Sequence, residues 1–223
     1  MNPRIALVCV TRNRPEGAQA VYETWRETST GESELWIAID EDQSSLYPRI
    51  PGVHYDVRPR KRMIPRFNEL AIDLAKEYAH VGFLGDDHRI RTSGWDEKVL
   101  DAMDANNGWG IVYGDDKLQG EALATAAVVS SNIIRTLGYI CPVGLAHLCM
   151  DSFWMDIGRD TGCLKYLPDV VIEHMHWSNG KAEKDAGYHA LNDIITPDAK
   201  RYDLWLKNER AADSAKLLKA MGK

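Results

Sequence analysis

His80-Val81-Gly82-Phe83-Leu84-Gly85-Asp86-Asp87-His88 is a short apolar run that breaks into a glycine and two adjacent carboxylates. Its length suits a buried strand, which would deliver the acids to its carboxyl end, where open α/β sheets place their ligands. Two carboxylates there point to a divalent metal. Gly-Asp-Asp is also ordinary turn chemistry, so the reading depends on what lies on either side.

On the amino-terminal side, Ile5–Val10 is continuously apolar and reads as a buried parallel strand. Thr11-Arg12-Asn13-Arg14-Pro15 then turns into a helix running to about Thr28, with Pro15 near its first turn. Residues 34–40 read as a second strand ending in acids, and 53–57 as a third. Pro65 opens a helix whose apolar residues Phe67, Leu70, Ala71, Leu74 and Tyr78 recur at helical spacing. Beyond Asp87 come a helix over 93–106, a strand over 110–113 and a less regular stretch rich in Gly and Ala. From Pro197 the chain reads as a helix, with Thr196 as its N-cap, carrying Tyr202, Trp205 and Leu206 and later Leu217 and Leu218. Such an amphipathic helix is expected to bury its stripe on its own domain. Strands alternating with helices predict an α/β fold, a mostly parallel central sheet flanked by helices.

The 223 residues, 44% hydrophobic and 27% charged, provide one sizeable domain and cannot hold two full Rossmann domains. A net charge of −6 gives no global attraction to nucleic acid or to an anionic membrane. The local exception is Arg58-Pro59-Arg60-Lys61-Arg62-Met63-Ile64-Pro65-Arg66, five cations within nine residues. No apolar run approaches the ~20 residues of a membrane span, and the run after Arg4 is too short for a signal peptide. Cys9, Cys141, Cys149 and Cys163 form no CxxC pair. A soluble, cytoplasmic protein is expected.

In this order the segments resemble the GT-A family of nucleotide-sugar glycosyltransferases, with an inverting, family 2-like pattern, over residues 5–177. Thr11-Arg12-Asn13-Arg14-Pro15 is similar to the family's first nucleotide-facing loop, and Asp40 to its contact with base or ribose. Arg66-Phe67-Asn68-Glu69-Leu70-Ala71 resembles the helix bearing an Asn ahead of the metal strand. Asp86-Asp87 falls where a DxD motif belongs, though as Gly-Asp-Asp it leaves open which acid binds metal. His147-Leu148-Cys149-Met150-Asp151-Ser152-Phe153-Trp154 resembles the acceptor-side motif with a general base, matched by Asp151. Leu167-Pro168-Asp169-Val170-Val171-Ile172-Glu173-His174-Met175-His176-Trp177 resembles the strand ending in a His near the metal, matched by His174.

The resemblance implies a GT-A (Rossmann-like) catalytic domain over 1–177, with a nucleotide-sugar half over 1–87 and an acceptor half over 88–177. Residues 178–223 form a C-terminal loop and helix packed on it. It also implies donor contacts from Thr11, Arg12, Asn13, Asp40, Arg62, Asn68 and Asp86, and a metal on Asp86, Asp87 and His174. The donor would be a nucleotide sugar, a UDP-sugar first among them. The acceptor would be a hydroxyl on a glycan or, as in small bacteriophage-encoded members, on hydroxymethylated DNA.

Such chemistry needs these residue types. A sugar diphosphate leaves with adjacent negative charges, which a divalent ion on oxygen ligands neutralises; an added imidazole tilts Mn²⁺ or Mg²⁺ towards Mn²⁺. A carboxylate removes the acceptor's proton as it attacks the anomeric carbon, and attack opposite the leaving group inverts the configuration. Alternatives stay open. His174 and His176 could form a zinc-like pair, and Asp151 could be the N-cap of the helix that follows. Trp154 and Trp177 could be core residues or stacking faces. The basic segment could be a solvated loop or a contact to a polynucleotide backbone. A sugar nucleotidyltransferase and a non-catalytic glycan- or nucleotide-binding protein are the competing functions.

Overall fold

The computed structural model describes residues 3–183 and 192–223. Its strands are β1 Ile5–Val10, β2 Ser33–Asp40, β3 His54–Arg58, β4 His80–Gly85, β5 His88–Ile90, β6 Ile111–Asp115, β7 Val128–Ser130 and β8 Leu164–His174. They form one sheet in the order β3-β2-β1-β4-β7-β6-β8-β5. The first four run parallel, as the alternation of strands and helices in the sequence predicts. The short β7 is antiparallel to both β4 and β6, β8 returns parallel to β6, and β5 is antiparallel to β8. The sheet is therefore mostly parallel, with the antiparallel strands confined to the second half.

Why β1 is apolar throughout is visible in its two faces. Ile5, Leu7 and Cys9 pack with Ala18, Val21 and Trp95, from helices α1 (Pro15–Thr28) and the later α3 (Trp95–Asp104). Ala6 and Val8 point the other way, into a core with Ile64 and Phe67 of α2 (Met63–Leu74). A strand covered by helices on both faces cannot afford alternating polar residues. Helix α4 (Ser131–Leu137) and helix α5 (Met150–Thr161) complete that second layer.

Several boundaries differ from the sequence reading by a residue or more, and two of them fall at prolines. Helix α2 starts at Met63, two residues before Pro65, because the first turn's N–H groups have no intrahelical partner and a proline there forfeits no bond. The C-terminal helix α6 spans Asn192–Asn208, so Thr196 is not its N-cap and Pro197 lies inside it. Buried Ile194 anchors the turn before the proline and buried Asp198 the turn after it, and this packing overrides the proline's local penalty. A separate helix α7, Arg210–Ala220, follows. Trp205 is fully buried with its ring 4.9 Å from Phe153, and Leu217 joins the same core. Truncating a buried aromatic costs about 3–5 kcal/mol, so the tail is part of the domain's core. The loop part of the 178–223 tail over 184–191 lies outside the described residues.

Among the described residues no helix is long and apolar enough to cross a membrane. All four cysteines are free thiols, and Cys9, Cys141 and Cys163 are buried.

Candidate active site

The carboxyl ends of β1, β2, β4 and β8 open into one cavity of about 1130 Å³. Thr11, Arg12, Asn13, Asp40, Arg62, Asp86, Asp87, Asp151 and His174 all line it. Asn68 does not.

The β1 end supplies the first wall. The Thr11 hydroxyl donates to Asp86 Oδ2 at 2.7 Å, and Arg14 donates to Asp86 Oδ1 at 3.0 Å. Burial pushes the Asp86 carboxyl up, and the bonds from Thr11 and Arg14 only partly offset this. Arg12 donates to Asp40 at 2.7 Å and forks onto Asp42 at 2.8 and 2.7 Å, which holds Asp42 below the usual carboxylate range. Asn13 sits in the left-handed region, φ 59°, and its backbone N–H donates to Gln43 Oε1 at 3.1 Å. The loop is thus braced against both neighbouring strands' acids before any ligand arrives.

The second wall is the turn between β4 and β5. A Cβ on Gly85 would lie 2.5 Å from Asp87 Oδ1 and 2.9 Å from His88 Nδ1, so a larger residue there would displace these side chains. A Cβ on Gly17 would come within 2.8 Å of the Asp86 carbonyl, so α1 also approaches this turn closely. The β5–β8 pairing sets His88 opposite His174, and their rings stack with centroids 4.3 Å apart. Asp87 bridges them, Oδ1 at 3.3 Å from His88 Nδ1 and Oδ2 at 3.3 Å from His174 Nε2. Burial alone would raise the Asp87 carboxyl; hydrogen bonds and charge from His174 and His88 reverse this and hold it far below the carboxylate range. For His174, burial lowers the imidazole and Asp87 more than compensates, leaving it raised.

Asp87, His88 and His174 each offer a ligand atom, all within 4.8 Å of one another. His88 Nε2 and His174 Nδ1 are buried without a hydrogen-bond partner, a cost that proteins retain chiefly at functional positions. One carboxylate with two imidazoles is a donor set suited to a divalent transition metal more than to Mg²⁺. Asp86 is outside this cluster, its oxygens being committed to Thr11 and Arg14. His176 is outside it too: its Nδ1 pairs with Ser178.

The third wall is the start of α5. Cys149, φ 68°, is the N-cap, and Asp151 lies inside the first turn, so Asp151 does not cap the helix. Burial pushes its carboxyl up to about 7; His174 opposes this and Asp116 adds to it. Near that value a carboxylate is poised to take a proton at neutral pH. His147 lines the same cavity, and burial lowers its imidazole.

The remaining expected residues sort by their partners. Asn68 is buried, its Oδ1 accepting from the Ile140 and Cys141 N–H groups at 3.0 Å and its Nδ2 donating to the Cys141 carbonyl at 2.9 Å. It ties a loop and is not among the residues lining the cavity. Arg58 pairs with Asp56 and Asp73, Lys61 with Glu69, and buried Arg66 donates to the Ile39 carbonyl at 2.6 Å. Arg60 and Arg62 are exposed at the cavity wall. Trp154 is core, donating to the Ile140 carbonyl, whereas Trp177 is 40% exposed and lines the cavity. His88, Arg14 and His147 are the residues that sequence reasoning passed over. His88 directly follows the acid pair, but only the β5–β8 pairing sets it against His174.

No protein-family model and no curated protein matches the chain. Solved structures do. The mannosyltransferase PcManGT from Pyrobaculum calidifontis, in complex with GDP-Man and Mn²⁺, superposes with a TM-score of 0.58 at 13% identity, covering 99% of this chain and 74% of that one. S. aureus TarS superposes with a TM-score of 0.57 at 11% identity, over 77% of this chain. TarS 1–349 in complex with UDP gives 0.55 at 12%, over 76%. This chain spans 37% of the first TarS chain's length and 59% of the second's. The architecture is therefore the Rossmann-like GT-A fold, a single α/β domain built on a mostly parallel sheet.

Proposed function

We propose that this chain is a metal-dependent glycosyltransferase that moves a sugar from a nucleotide-sugar donor to an acceptor hydroxyl with inversion. The observation that carries the reading is the single cavity in which Asp87, His88 and His174 meet Asp151. A cation-holding corner and a carboxylate poised near neutrality are the two needs of this reaction.

The braced loop of Thr11, Arg12 and Asn13, with Asp40, holds the nucleoside, and Asp86 is kept in place by Thr11 and Arg14. Arg62 faces the diphosphate. Asp87, His88 and His174 would hold the divalent ion, which when bound supplies charge neutralisation for the departing diphosphate. Two imidazoles favour Mn²⁺ over Mg²⁺, and the similar PcManGT structure holds Mn²⁺. Asp151 accepts the acceptor's proton as its oxygen attacks the anomeric carbon from the side opposite the diphosphate. A UDP-sugar is the first donor to try, in the cytoplasm, with a glycan or modified-DNA hydroxyl as acceptor.

Calorimetric titration of the protein with Mn²⁺ and a panel of nucleotide sugars tests the reading. At least one donor should bind when Mn²⁺ is present and bind weakly without it. Absence of any donor binding overturns the proposal. Pyrophosphate release from a nucleoside triphosphate would move the chain to the nucleotidyltransferases, and donor binding without hydrolysis or transfer would make it a binding protein.

A further inference from the structure

Residues 140–149 form the loop that carries His147 into the cavity and delivers the chain to α5 and Asp151. Its shape is dictated from outside. From below, Asn68 binds the backbone at Ile140 and Cys141, and the Ile64 N–H donates to the Ala146 carbonyl at 3.1 Å. From the C-terminal helix α6, Arg201 donates to the Val143 carbonyl at 2.6 Å. The densest contact is Asp198, on the same helix and 1% exposed. Its Oδ1 accepts the Ala146 N–H at 2.8 Å, and its Oδ2 accepts the His147 and Leu148 N–H groups at 2.8 and 2.7 Å.

Three consecutive backbone donors on one buried carboxylate are charge-assisted bonds, stronger than neutral ones, and they fix the direction of the peptide planes on either side of His147. The next residue, Cys149, is in the left-handed region at φ 68°, which a non-glycine residue holds only when its surroundings over-determine it. Asp198 supplies that constraint, one residue before the strained position. Two residues beyond the strain stands Asp151.

We propose that Asp198 is a positioning residue for the proton-transfer step: through the 146–148 backbone it sets where His147 and Asp151 stand in the cavity, so that the C-terminal helix is part of the acceptor side's machinery. The inference rests on the reading of Asp151 as proton acceptor. It makes α6 a catalytic support and assigns to a residue far along the chain a role that no motif near Asp151 contains.

The test compares Asp198→Asn, Asp198→Glu and Asp198→Ala with the wild type and with Asp203→Asn, an exposed change on the same helix. Wild-type hydrolysis of a nucleotide-sugar panel, followed by mass spectrometry, first selects a donor. With that donor, Asp198→Ala should lower kcat about 100-fold, the cost of misplacing a reacting group by roughly an ångström. KM for the donor and Mn²⁺ affinity should stay within about threefold of wild type, because Asp198 acts on the 146–148 backbone that leads to Asp151. Asp198→Asn, which keeps one acceptor oxygen, should fall between, and Asp198→Glu, which keeps the charge but pushes the loop, should also lose kcat. If Asp198→Ala does not fold, the Asn and Glu variants decide. A kcat within about threefold of wild type in the folded variants, or a parallel loss of donor and metal binding, overturns the positioning role.

If the wild type hydrolyses no donor, the transferase reading fails separately. The inference is then decided by the carbon-13 NMR titration of the Asp151 carboxyl. It should move towards the ordinary carboxylate value of about 3.9 in the folded Asp198 variants as the loop loosens and water enters. An unmoved titration overturns it.

Discussion

Asp87 and Asp151 face the same cavity from different elements, and their surroundings treat them in opposite ways. At the β4–β5 turn, two imidazoles from paired strands lie 3.3 Å from the Asp87 oxygens and keep it anionic far below neutral pH. At the start of α5, burial governs Asp151 and carries it to about 7. Environments that drive two carboxyl groups apart divide labour between them. An acid held anionic far below neutral pH suits holding a cation, and one that titrates near neutrality suits taking a proton.

The largest break in that comparison should come from Asp87→Ala. Without the bridging carboxylate, the two histidines lose their common partner and Mn²⁺-dependent donor binding should disappear. Turnover should then fall by about 10⁴-fold or more, since metal neutralisation supplies several kcal/mol of the barrier. Calorimetry and donor hydrolysis read both; retention of Mn²⁺-dependent binding would empty the metal corner of its role.

Asp151→Asn should do the reverse. Donor and Mn²⁺ affinity stay near wild type while turnover falls by roughly 10²–10⁴-fold, the usual contribution of a general base. In the wild type, kcat should rise tenfold per pH unit up to about 7, where the Asp151 carboxyl loses its proton, and level off above. The stability linkage has the opposite sign: a carboxyl raised in the folded state stabilises fully below its unfolded pKa of about 3.9 and loses that contribution as pH climbs through the folded value. Asp151→Asn should therefore raise Tm relative to wild type at pH 8 and hardly at pH 4. An inactive variant with no such pH-dependent gain would mean that Asp151 is not the group titrating near 7.

The contrast also explains what the sequence could and could not disclose. Continuous apolar strands such as Ile5–Val10 and the run before Gly85 were legible, because burial on both faces writes itself into composition. The acid pair was legible through the strand that precedes it. His88 as a partner of His174 was not, since that neighbourhood is made by the antiparallel β5–β8 register, which no local pattern encodes. Nothing in the sequence around Asp198 marks it, and only tertiary packing shows the three N–H groups it receives. The Thr196 cap failed for the same reason: local capping chemistry was overruled by a helix that packing extends to Asn192.

A smaller effect tests the part of the metal corner that the register supplies. His88→Gln removes an imidazole while leaving Asp87 and His174 in place. Mn²⁺ affinity should fall by about 10–100-fold, the range for groups that support a ligand set, with residual activity recovered at high metal concentration. Unchanged Mn²⁺ affinity would reduce the corner to Asp87 and His174 and restore Mg²⁺ as an equal candidate.

The smallest functional effect is expected where the family resemblance and the geometry part company. The resemblance places Asn68 among donor contacts; in the fold its side chain is spent on the Ile140 and Cys141 backbone. Asn68→Ala leaves buried N–H groups unpaired, a loss of about 1–3 kcal/mol, which in a domain of this size lowers Tm by roughly 2–12 °C. Donor KM should barely change, and kcat should fall only modestly, because Asp198 still holds the loop nearer to Asp151. A donor KM raised more than about tenfold at an unaltered Tm would reverse this assignment, placing Asn68 on the nucleotide after all.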